Sequence, residues 1–237
     1  MRPTSETIRY FVEAYPFDAG DIDGAEIASA VVCLQMPGGW LDMGCGPILP
    51  IWAAFARTPA NIVGLDVLAE NIAFLRSQIG ARQIEEPHRR ALAFASKHLG
   101  LEVLEQHHAK SLLFDRISEL HQANVTDQKS SWNGSFGLVT QIGCFGCLES
   151  REQFLAAARI VADYLAPGGR FLSISWIQPK YDGIKSWNGP ISSRLTLKQV
   201  CDDYRHVGLS ILDAREVPTR DQGYTAMLRV SCEKPAG

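Results

Sequence analysis

A glycine turn in the first quarter of the chain is the feature that most constrains its fold. Residues 41–47, LDMGCGP, follow a short apolar start and lead into residues 48–57, which we predict to be helical. Glycines in a strand–turn–helix corner let the backbone approach a bound ligand, and Asp42 places a carboxylate beside the same space. The motif predicts a site for a small adenosine-containing cofactor. The turn residues of this site are Gly44, Cys45 and Gly46.

The spacing of the glycines separates this motif from the dinucleotide-binding fingerprint. The pattern is Asp-x-Gly-x-Gly, and Leu49 stands where that fingerprint has glycine or alanine. A pyrophosphate cofactor is therefore disfavoured, whereas a ligand that carries an ammonium and no phosphate suits an acidic strand end. S-adenosylmethionine fits this description, and we expect it as the cofactor, with S-adenosylhomocysteine as its product. The alternative is a glycine-rich turn that only reverses the chain.

A second acidic residue follows about twenty residues after the glycine turn. Asp66 ends the apolar run of residues 61–66, at the distance where a ribose-binding carboxylate is expected. Its oxygens are able to accept hydrogen bonds from both ribose hydroxyls, and Asn71, at the start of the next helix, adds a further contact. The alternative for Asp66 is an ordinary helix N-cap.

The composition predicts one globular domain that acts on a small molecule. The 237 residues are 46% hydrophobic and 21% charged, which suits a single domain over residues 1–237. A net charge of −3 offers no basic surface for nucleic acid. No apolar stretch reaches the ~18 residues of a membrane span, and residues 1–6 lead into no signal-peptide core. We expect a cytoplasmic protein, as a monomer or a homodimer.

Alternating strand and helix patterns predict a Rossmann-like α/β fold. We expect a seven-stranded, mostly parallel sheet that ends in a C-terminal antiparallel hairpin and has helices on both faces. Residues 1–35 are predicted to form a helical lid, and residues 83–115 a helical insertion between the second and third strands. The predicted strands are 39–43, 61–66, 117–123, 136–141, 170–176, 209–217 and 224–232. The predicted helices include 25–34, one that begins at the capping box of residues 150–153 and runs to 167–169, and 196–206.

Cysteine and histidine residues do not form a convincing metal pattern. The six cysteines give no disulfide framework, and the Cys144-x-x-Cys147 pair lacks a second pair. We interpret it as two small apolar side chains near the edge of the sheet, in preference to a redox or zinc site. The adjacent His107 and His108 point to different sides of a helix, and we assign them to a solvated helical face. No metal is therefore expected.

Together these residues resemble the class I S-adenosylmethionine-dependent methyltransferases over nearly the whole chain. The resemblance is carried by residues 41–47, Asp66, Asn71, residues 123–126 (ANVT), Gln141 and residues 166–169 (APGG). Within that superfamily the sequence is most similar to the nicotinamide, phenylethanolamine and indolethylamine N-methyltransferases. This finer similarity is carried by the N-terminal YFVEAY at 10–15, the GCGP turn at 44–47 and the long excursion before Asn124.

The resemblance implies a role for each matching residue. Tyr10 and Tyr15 would cover the carboxylate and sulfonium side of the cofactor, although a packing stripe on a helix is the alternative. Gly44, Cys45 and Gly46 would line the cofactor with their backbone, beside Asp42. Asp66 and Asn71 would hold the ribose, Asn124 and Val125 would lie at the adenine, and Gln141 would face the methionyl part from the end of the fourth strand.

At the positions expected to bind the acceptor, this sequence differs from the pattern of the nicotinamide enzymes. Trp176 follows Ser175, where their pattern has an aspartate, so nicotinamide itself is doubtful. An indole there suits stacking or a cation–π contact with the acceptor, and Tyr181, Asp182 and Trp187 follow in the next loop. The alternative is that Trp176 and Trp187 only pack beneath that loop. We predict Tyr15 and Trp176 to face the acceptor and Asp182 to assist the loss of a proton.

These observations favour a methyltransferase that acts on a nitrogen of a small aromatic or amino-acid-derived metabolite. Oxygen or carbon methylation of a natural-product intermediate is an alternative. A cofactor-binding protein without catalytic activity is a second alternative. A nicotinamide-dependent oxidoreductase is a third, and the missing third glycine disfavours it.

Overall fold

The computed structural model describes residues 4–18, 20–34, 37–56, 61–100, 109–177, 195–220 and 223–236. Seven strands form one sheet, in the order β3-β2-β1-β4-β5-β7-β6. The five strands from β1 to β5 pair in parallel, and β7 runs antiparallel to both β5 and β6. The strands are β1 (Gly39–Met43), β2 (Ile62–Asp66), β3 (Ile117–Gln122), β4 (Phe136–Ile142), β5 (Leu165–Ile177), β6 (Ser210–Val217) and β7 (Ala226–Glu233). The predicted fold class is confirmed, including the antiparallel hairpin at its end.

Seven α-helices lie on the two faces of the sheet within the described ranges. They are α1 (Ser5–Glu13), α2 (Ile22–Leu34), α3 (Leu49–Ala53), α4 (Ala69–Ala81), α5 (Glu86–Leu99), α6 (Arg151–Tyr164) and α7 (Leu197–His206). Helices α1 to α5 contribute to the core on one face, and α6 and α7 to the core on the other. On the second face, the rings of Phe154, Phe171 and Tyr204 pack with centroids 5.2 to 5.6 Å apart.

Two predicted helices are longer than those observed. After the glycine turn, a 3₁₀ turn at Gly46–Ile48 precedes α3, which ends at Ala53. Pro47 and Pro50 lie in the first turns of these two short segments, where proline is tolerated because its missing N–H would lack a helical partner. Helix α6 ends at Tyr164, and the segment with Pro167 already belongs to β5.

The N-terminal segment divides into two helices with different environments. Helix α1 is capped by Thr4, whose side chain accepts from the N–H of Thr7, and it exposes Ile8 and Val12. Helix α2 is largely buried and lies against β5. That residues 1–35 act as a lid stays a prediction. Of the two segments, α2 has the surroundings of a core helix.

The predicted insertion between β2 and β3 contains α5 and a π-helical turn at Ser111–Asp115. His107 and His108 lie outside the described residues. Among the residues that are described, no helix is both long enough and apolar enough to cross a membrane.

The order of the strands determines where a ligand is able to bind. From β1 the chain moves outward to β2 and β3 on one side, and then returns to place β4 on the other side. In sheets with such a reversal, ligands usually bind outside the carboxyl ends of the strands that flank it, here β1 and β4. The glycine turn, Asp66 and the turn after β4 all lie at that edge.

Candidate active site

The glycine turn has a backbone that only glycine adopts without strain. Gly44 and Gly46 have φ angles of 74° and 55°, in the left-handed region. The N–H groups of Gly44 and Cys45 donate to the carbonyl of Leu65, at 2.7 and 3.0 Å. A Cβ on Gly44 would lie 2.4 Å from the Cβ of Cys144, so the turn after β4 packs directly on the glycine turn. The two strand ends are therefore held together by a contact that excludes any side chain at 44.

Asp66 joins the glycine turn to the start of α4. One carboxylate oxygen accepts from the N–H of Gly46 at 2.8 Å. The other accepts from the N–H of Leu68 at 2.8 Å and from the amide of Asn71 at 3.2 Å. Asp66 is only 6% exposed, and burial raises its pKa, although these donors offset part of the effect. Asp66 and Asn71 are hydrogen-bonded to each other, and the oxygen that accepts from Gly46 keeps a further lone pair for a ligand hydroxyl.

The segment predicted at the adenine follows β3 and lies beside the end of β2. The N–H of Ala123 donates to the carbonyl of Asp66 at 3.0 Å, which brings Asn124 to the same edge. The side-chain oxygen of Asn124 accepts from the N–H and the hydroxyl of Thr126, at 3.1 and 3.0 Å. Val125 is buried in the core beneath. The exposed Asn124 thus forms a local turn, and its amide N–H₂ is the part of it that is able to reach a ligand.

Two apolar residues that sequence reasoning missed lie beside this segment. Val67 and Leu68 are 57% and 49% exposed, directly after Asp66. Large aliphatic side chains this exposed, next to a strand-end carboxylate, suit a flat apolar ligand group such as an adenine ring. The signal in the sequence was the pair of apolar residues between Asp66 and the first turn of α4, where polar residues are usual.

Asp42 is buried inside the sheet and takes part in a chain of hydrogen bonds. The hydroxyl of Thr140 donates to its carboxylate at 2.6 Å, and the indole N–H of Trp40 donates to Thr140 at 2.8 Å. Asp42 is 1% exposed, and burial raises its pKa to about 7. Its role toward the cofactor stays a prediction. The contacts observed are all within the protein.

The two predicted lid tyrosines lie together, against the glycine turn. The ring of Tyr10 comes within 3.7 Å of the position that a Cβ on Gly46 would take. The hydroxyls of Tyr10 and Tyr15 share a hydrogen bond, and burial raises the pKa of Tyr10 to about 12 and that of Tyr15 well above its usual range. Tyr15 is buried, with its ring centroid 4.6 Å from that of Trp52. In this conformation Tyr15 is a packed, neutral phenol.

Gln141 is engaged by its neighbours in the sheet. Its amide N–H₂ donates to the hydroxyl of Ser173 at 2.7 Å and the carbonyl of Ile174 at 2.9 Å, while its oxygen accepts from the N–H of Phe145 at 2.9 Å. Side chains alternate along a strand, so Gln141 points to the opposite face from Thr140. Its predicted contact with the cofactor stays a prediction. The hydrogen bond from Phe145 holds the turn after β4 against the end of that strand.

Trp176 lies near the carboxyl end of β5, where the acceptor was expected, and its ring packs on the turn after β4. Ring atom Cζ3 is 3.1 Å from the position of a Cβ on Gly143, whose φ is 79°. The indole N–H donates to the carboxylate of Asp23 at 3.1 Å and to the hydroxyl of Thr219 at 3.2 Å. Asp182, with Tyr181 and Trp187, lies outside the described residues.

Three thiols surround the glycine turn. Cys144 packs on Gly44, and Cys147 donates its S–H to the carbonyl of Gly143 at 3.3 Å. Burial raises the pKa of Cys45 and Cys144 well above the usual range, so both remain neutral thiols. This agrees with an interpretation as small apolar side chains. Within the described ranges, no three His, Cys, Asp or Glu side chains are grouped so that they could hold a metal ion.

Known proteins share this fold at low sequence identity. No family model matches the chain, and no curated protein sequence does. Among solved structures, the [4+2]-cyclase SpnF has a TM-score of 0.63 and 14% identity, over 100% of this chain and 98% of its own. The 1,6-didemethyltoxoflavin-N1-methyltransferase of Burkholderia thailandensis, solved with S-adenosylhomocysteine, has a TM-score of 0.60 and 15% identity, over 98% of this chain and 88% of its own.

A third similar structure is the N-methyltransferase NodS of Bradyrhizobium japonicum WM9, also solved with S-adenosylhomocysteine. Its TM-score is 0.58 at 13% identity, over 97% of both chains. The chain therefore has the Rossmann-like fold found in S-adenosylmethionine-dependent methyltransferases. The finer resemblance to the nicotinamide, phenylethanolamine and indolethylamine enzymes stays a prediction.

The packing of Gly44 yields a prediction about stability. Gly44→Ala requires a left-handed alanine and places its methyl group against Cys144, so we expect the free energy of unfolding to fall by at least about 1 kcal/mol. Gly80→Ala, in α4, is the matched control, since a Cβ there meets nothing within 4 Å. That control is expected to be neutral or stabilising by urea denaturation. Equal effects of the two substitutions would contradict the packing described for the turn.

The raised pKa of Asp42 yields a prediction about pH. Below the ordinary aspartate pKa of about 4, the carboxyl is protonated in the folded and unfolded states alike. Between about 4 and 7 only the unfolded state releases the proton, so this group lowers stability as the pH rises. Asp42→Asn removes that loss. We expect its unfolding free energy to rise relative to wild type from pH 5 to pH 8 in urea denaturation, whereas parallel pH profiles would refute the assignment.

Proposed function

We propose that this protein is an S-adenosylmethionine-dependent methyltransferase that methylates a nitrogen of a small aromatic or amino-acid-derived molecule. One observation above all supports the cofactor. Asp66, at the end of β2, is hydrogen-bonded to Gly46 of the glycine turn, in a fold that known methyltransferases share. In this arrangement Asp66 would serve as the ribose carboxylate, and the glycine backbone beside it would meet the methionyl part.

The residues present fit the chemistry of the cofactor. The ring of Tyr10 and the side chain of Ile48 lie 3.7 and 3.9 Å from the Cβ position of Gly46, so Tyr10 would cover a group that lies on the backbone of the turn. Asp66 and Asn71 would hold the ribose, and Val67 and Leu68 would offer apolar surface to the adenine. Asn124 would meet the adenine amine. Each of these groups lies at the carboxyl ends of β1, β2 or β3.

The mechanism we propose relies on positioning. When bound, S-adenosylmethionine supplies a methyl group on a positively charged sulfur. The lone pair of the acceptor nitrogen would form the new N–C bond as the S–C bond pair returned to sulfur, and any remaining N–H proton would leave to water. Holding the nitrogen in line turns a bimolecular step into an effectively unimolecular one, which is able to supply several kcal/mol of the barrier. Trp176, beside Gly143, would orient the acceptor, and Tyr10 and Tyr15 would exclude water.

The proton leaves without help from a strong base in this proposal. Tyr15 is a buried neutral phenol, so it would orient the acceptor through its hydroxyl and would not act as a phenolate. Asp182 is proposed as the group that assists deprotonation of an ammonium acceptor. The proposed partner is a small molecule. A cytoplasmic location and a monomeric or dimeric state stay predictions.

The alternatives concern the reaction more than the cofactor. A cyclase is among the proteins that share this fold, so the fold alone does not require methyl transfer. Isothermal titration with S-adenosylmethionine, S-adenosylhomocysteine and NAD tests the cofactor first. Micromolar binding of the first two without NAD supports the proposal, and binding of NAD alone would overturn it. Labelled methyl transfer to panels of amines, phenols and activated carbon acceptors then separates the reaction types.

Replacing the ribose carboxylate tests the site itself. Asp66→Ala removes the predicted acceptor of both ribose hydroxyls, so we expect the dissociation constant for S-adenosylhomocysteine to rise at least about tenfold. Asp202→Ala, an exposed carboxylate on α7, is the control and should leave binding unchanged. Thermal melts of both variants show whether they fold. Unchanged affinity in a folded Asp66→Ala variant would contradict the ribose assignment.

A further inference from the structure

Asp23 is a buried carboxylate to which the proposed reaction assigns no role. It lies in the first turn of α2 and is 6% exposed. One of its oxygens accepts from the indole N–H of Trp176 at 3.1 Å and from the hydroxyl of Thr219 at 2.7 Å. The other accepts from the N–H of Arg220 at 3.1 Å. These three donors are neutral groups from β5 and from the connection between β6 and β7, so the negative charge is held close to the indole.

The hydrogen bond from Trp176 fixes how its ring meets the site. The indole N–H is the only polar group of the side chain, and Asp23 and Thr219 receive it on the side of α2. The six-membered ring therefore lies toward Gly143, with Cζ3 and Cε3 at 3.1 and 3.5 Å from the position of a Cβ there. Gly143 immediately precedes Cys144, which packs on the glycine turn. The aromatic ring thus packs on the same turn, Gly143 and Cys144, that packs on the proposed cofactor site.

A carboxylate that accepts from an indole N–H makes the ring a better partner for cations. It adds negative potential to the aromatic face, which already attracts positive charge through its quadrupole. A nitrogen acceptor becomes positively charged when it gains a methyl group. The attraction between an electron-rich ring and that nitrogen is therefore stronger in the transition state than in the bound substrate. An interaction accelerates a reaction only when it strengthens in this way.

We propose that Asp23 is a positioning residue that holds Trp176 as an electron-rich wall, so that the site favours acceptors whose nitrogen is a cation when bound or when methylated. The inference rests on the proposed function and narrows it to amines that become ammonium ions. Gly143 contributes to the same arrangement, because a Cβ there would lie 3.1 Å from the Trp176 ring and would displace it.

A pair of probes with the same shape and different charge tests this preference. Choline and 3,3-dimethylbutan-1-ol differ by one charge at the branched centre, and both are titrated into the full chain with S-adenosylhomocysteine present. We expect choline to bind at least about fivefold more tightly than the neutral alcohol, as a cation–π contact requires. Equal affinities, a preference for the alcohol, or binding of neither probe would overturn the proposal.

Variants connect the preference to Asp23. Asp23→Ala should abolish the discrimination and shift the indole N–H signal of Trp176 in NMR spectra, which Trp176→Phe identifies by its loss. Asp23→Asn keeps an oxygen acceptor without the charge, so it should restore the signal and leave a reduced preference for choline. Asp202→Ala is the control, and we expect it to keep the full preference for choline over the neutral alcohol. Retained discrimination in Asp23→Ala would refute the role of Asp23.

The same titrations separate this proposal from the proposed function. Should Asp23→Ala not fold, Asp23→Asn and Trp176→Phe carry the test, since both keep most of the packing. Binding of S-adenosylhomocysteine without discrimination between the probes refutes the inference and leaves the cofactor assignment intact. Failure of the wild-type protein to bind S-adenosylhomocysteine refutes the proposed function.

Discussion

The hydrogen bond between the Asp66 carboxylate and the N–H of Gly46 joins the parts of the molecule on which the candidate site depends. It holds a left-handed glycine turn against the end of a neighbouring strand, while the same carboxylate organises the start of α4 through Leu68 and Asn71. A buried carboxylate needs such donors, because desolvation disfavours its charge. The bonds that stabilise Asp66 therefore also fix the geometry in which it would meet a ribose.

The turn after β4 completes this edge through packing. Cys144 fits against Gly44 because neither glycine nor a small neutral thiol brings bulk or charge to the contact. Gly143, one residue earlier, leaves the space that the ring of Trp176 takes. Trp176 in turn donates a hydrogen bond to Asp23, so the proposed acceptor side is connected to α2. A substitution at any of these positions would displace its neighbours, because closely packed side chains leave little room to adjust.

The sequence predicted the strands well because buried strands carry a strong pattern. Residues 39–43 and 61–66 are apolar runs bounded by turn residues, and both match observed strands to within one residue. Helix lengths were predicted less well. Helix α3 ends at Ala53 and helix α6 at Tyr164, both before the predicted ends, and the local pattern gave no signal for these end points. The partners of Gln141 and Asp23 come from strands and turns far along the chain, which no local pattern describes.

The two strand-end aspartates show why residue type and spacing alone were insufficient. Asp66 is the last residue of β2, so its side chain turns out of the sheet and meets the N–H groups of the following turn. Asp42 precedes the last residue of β1, and the sheet keeps it beside Thr140, its partner in the neighbouring strand. In the register of the two strands Asp42 lies opposite Gly64, two residues before Asp66, and its carboxylate accepts from a threonine hydroxyl instead of from the N–H groups of a turn. Burial then acts on both, but only Asp66 has three donors to offset it.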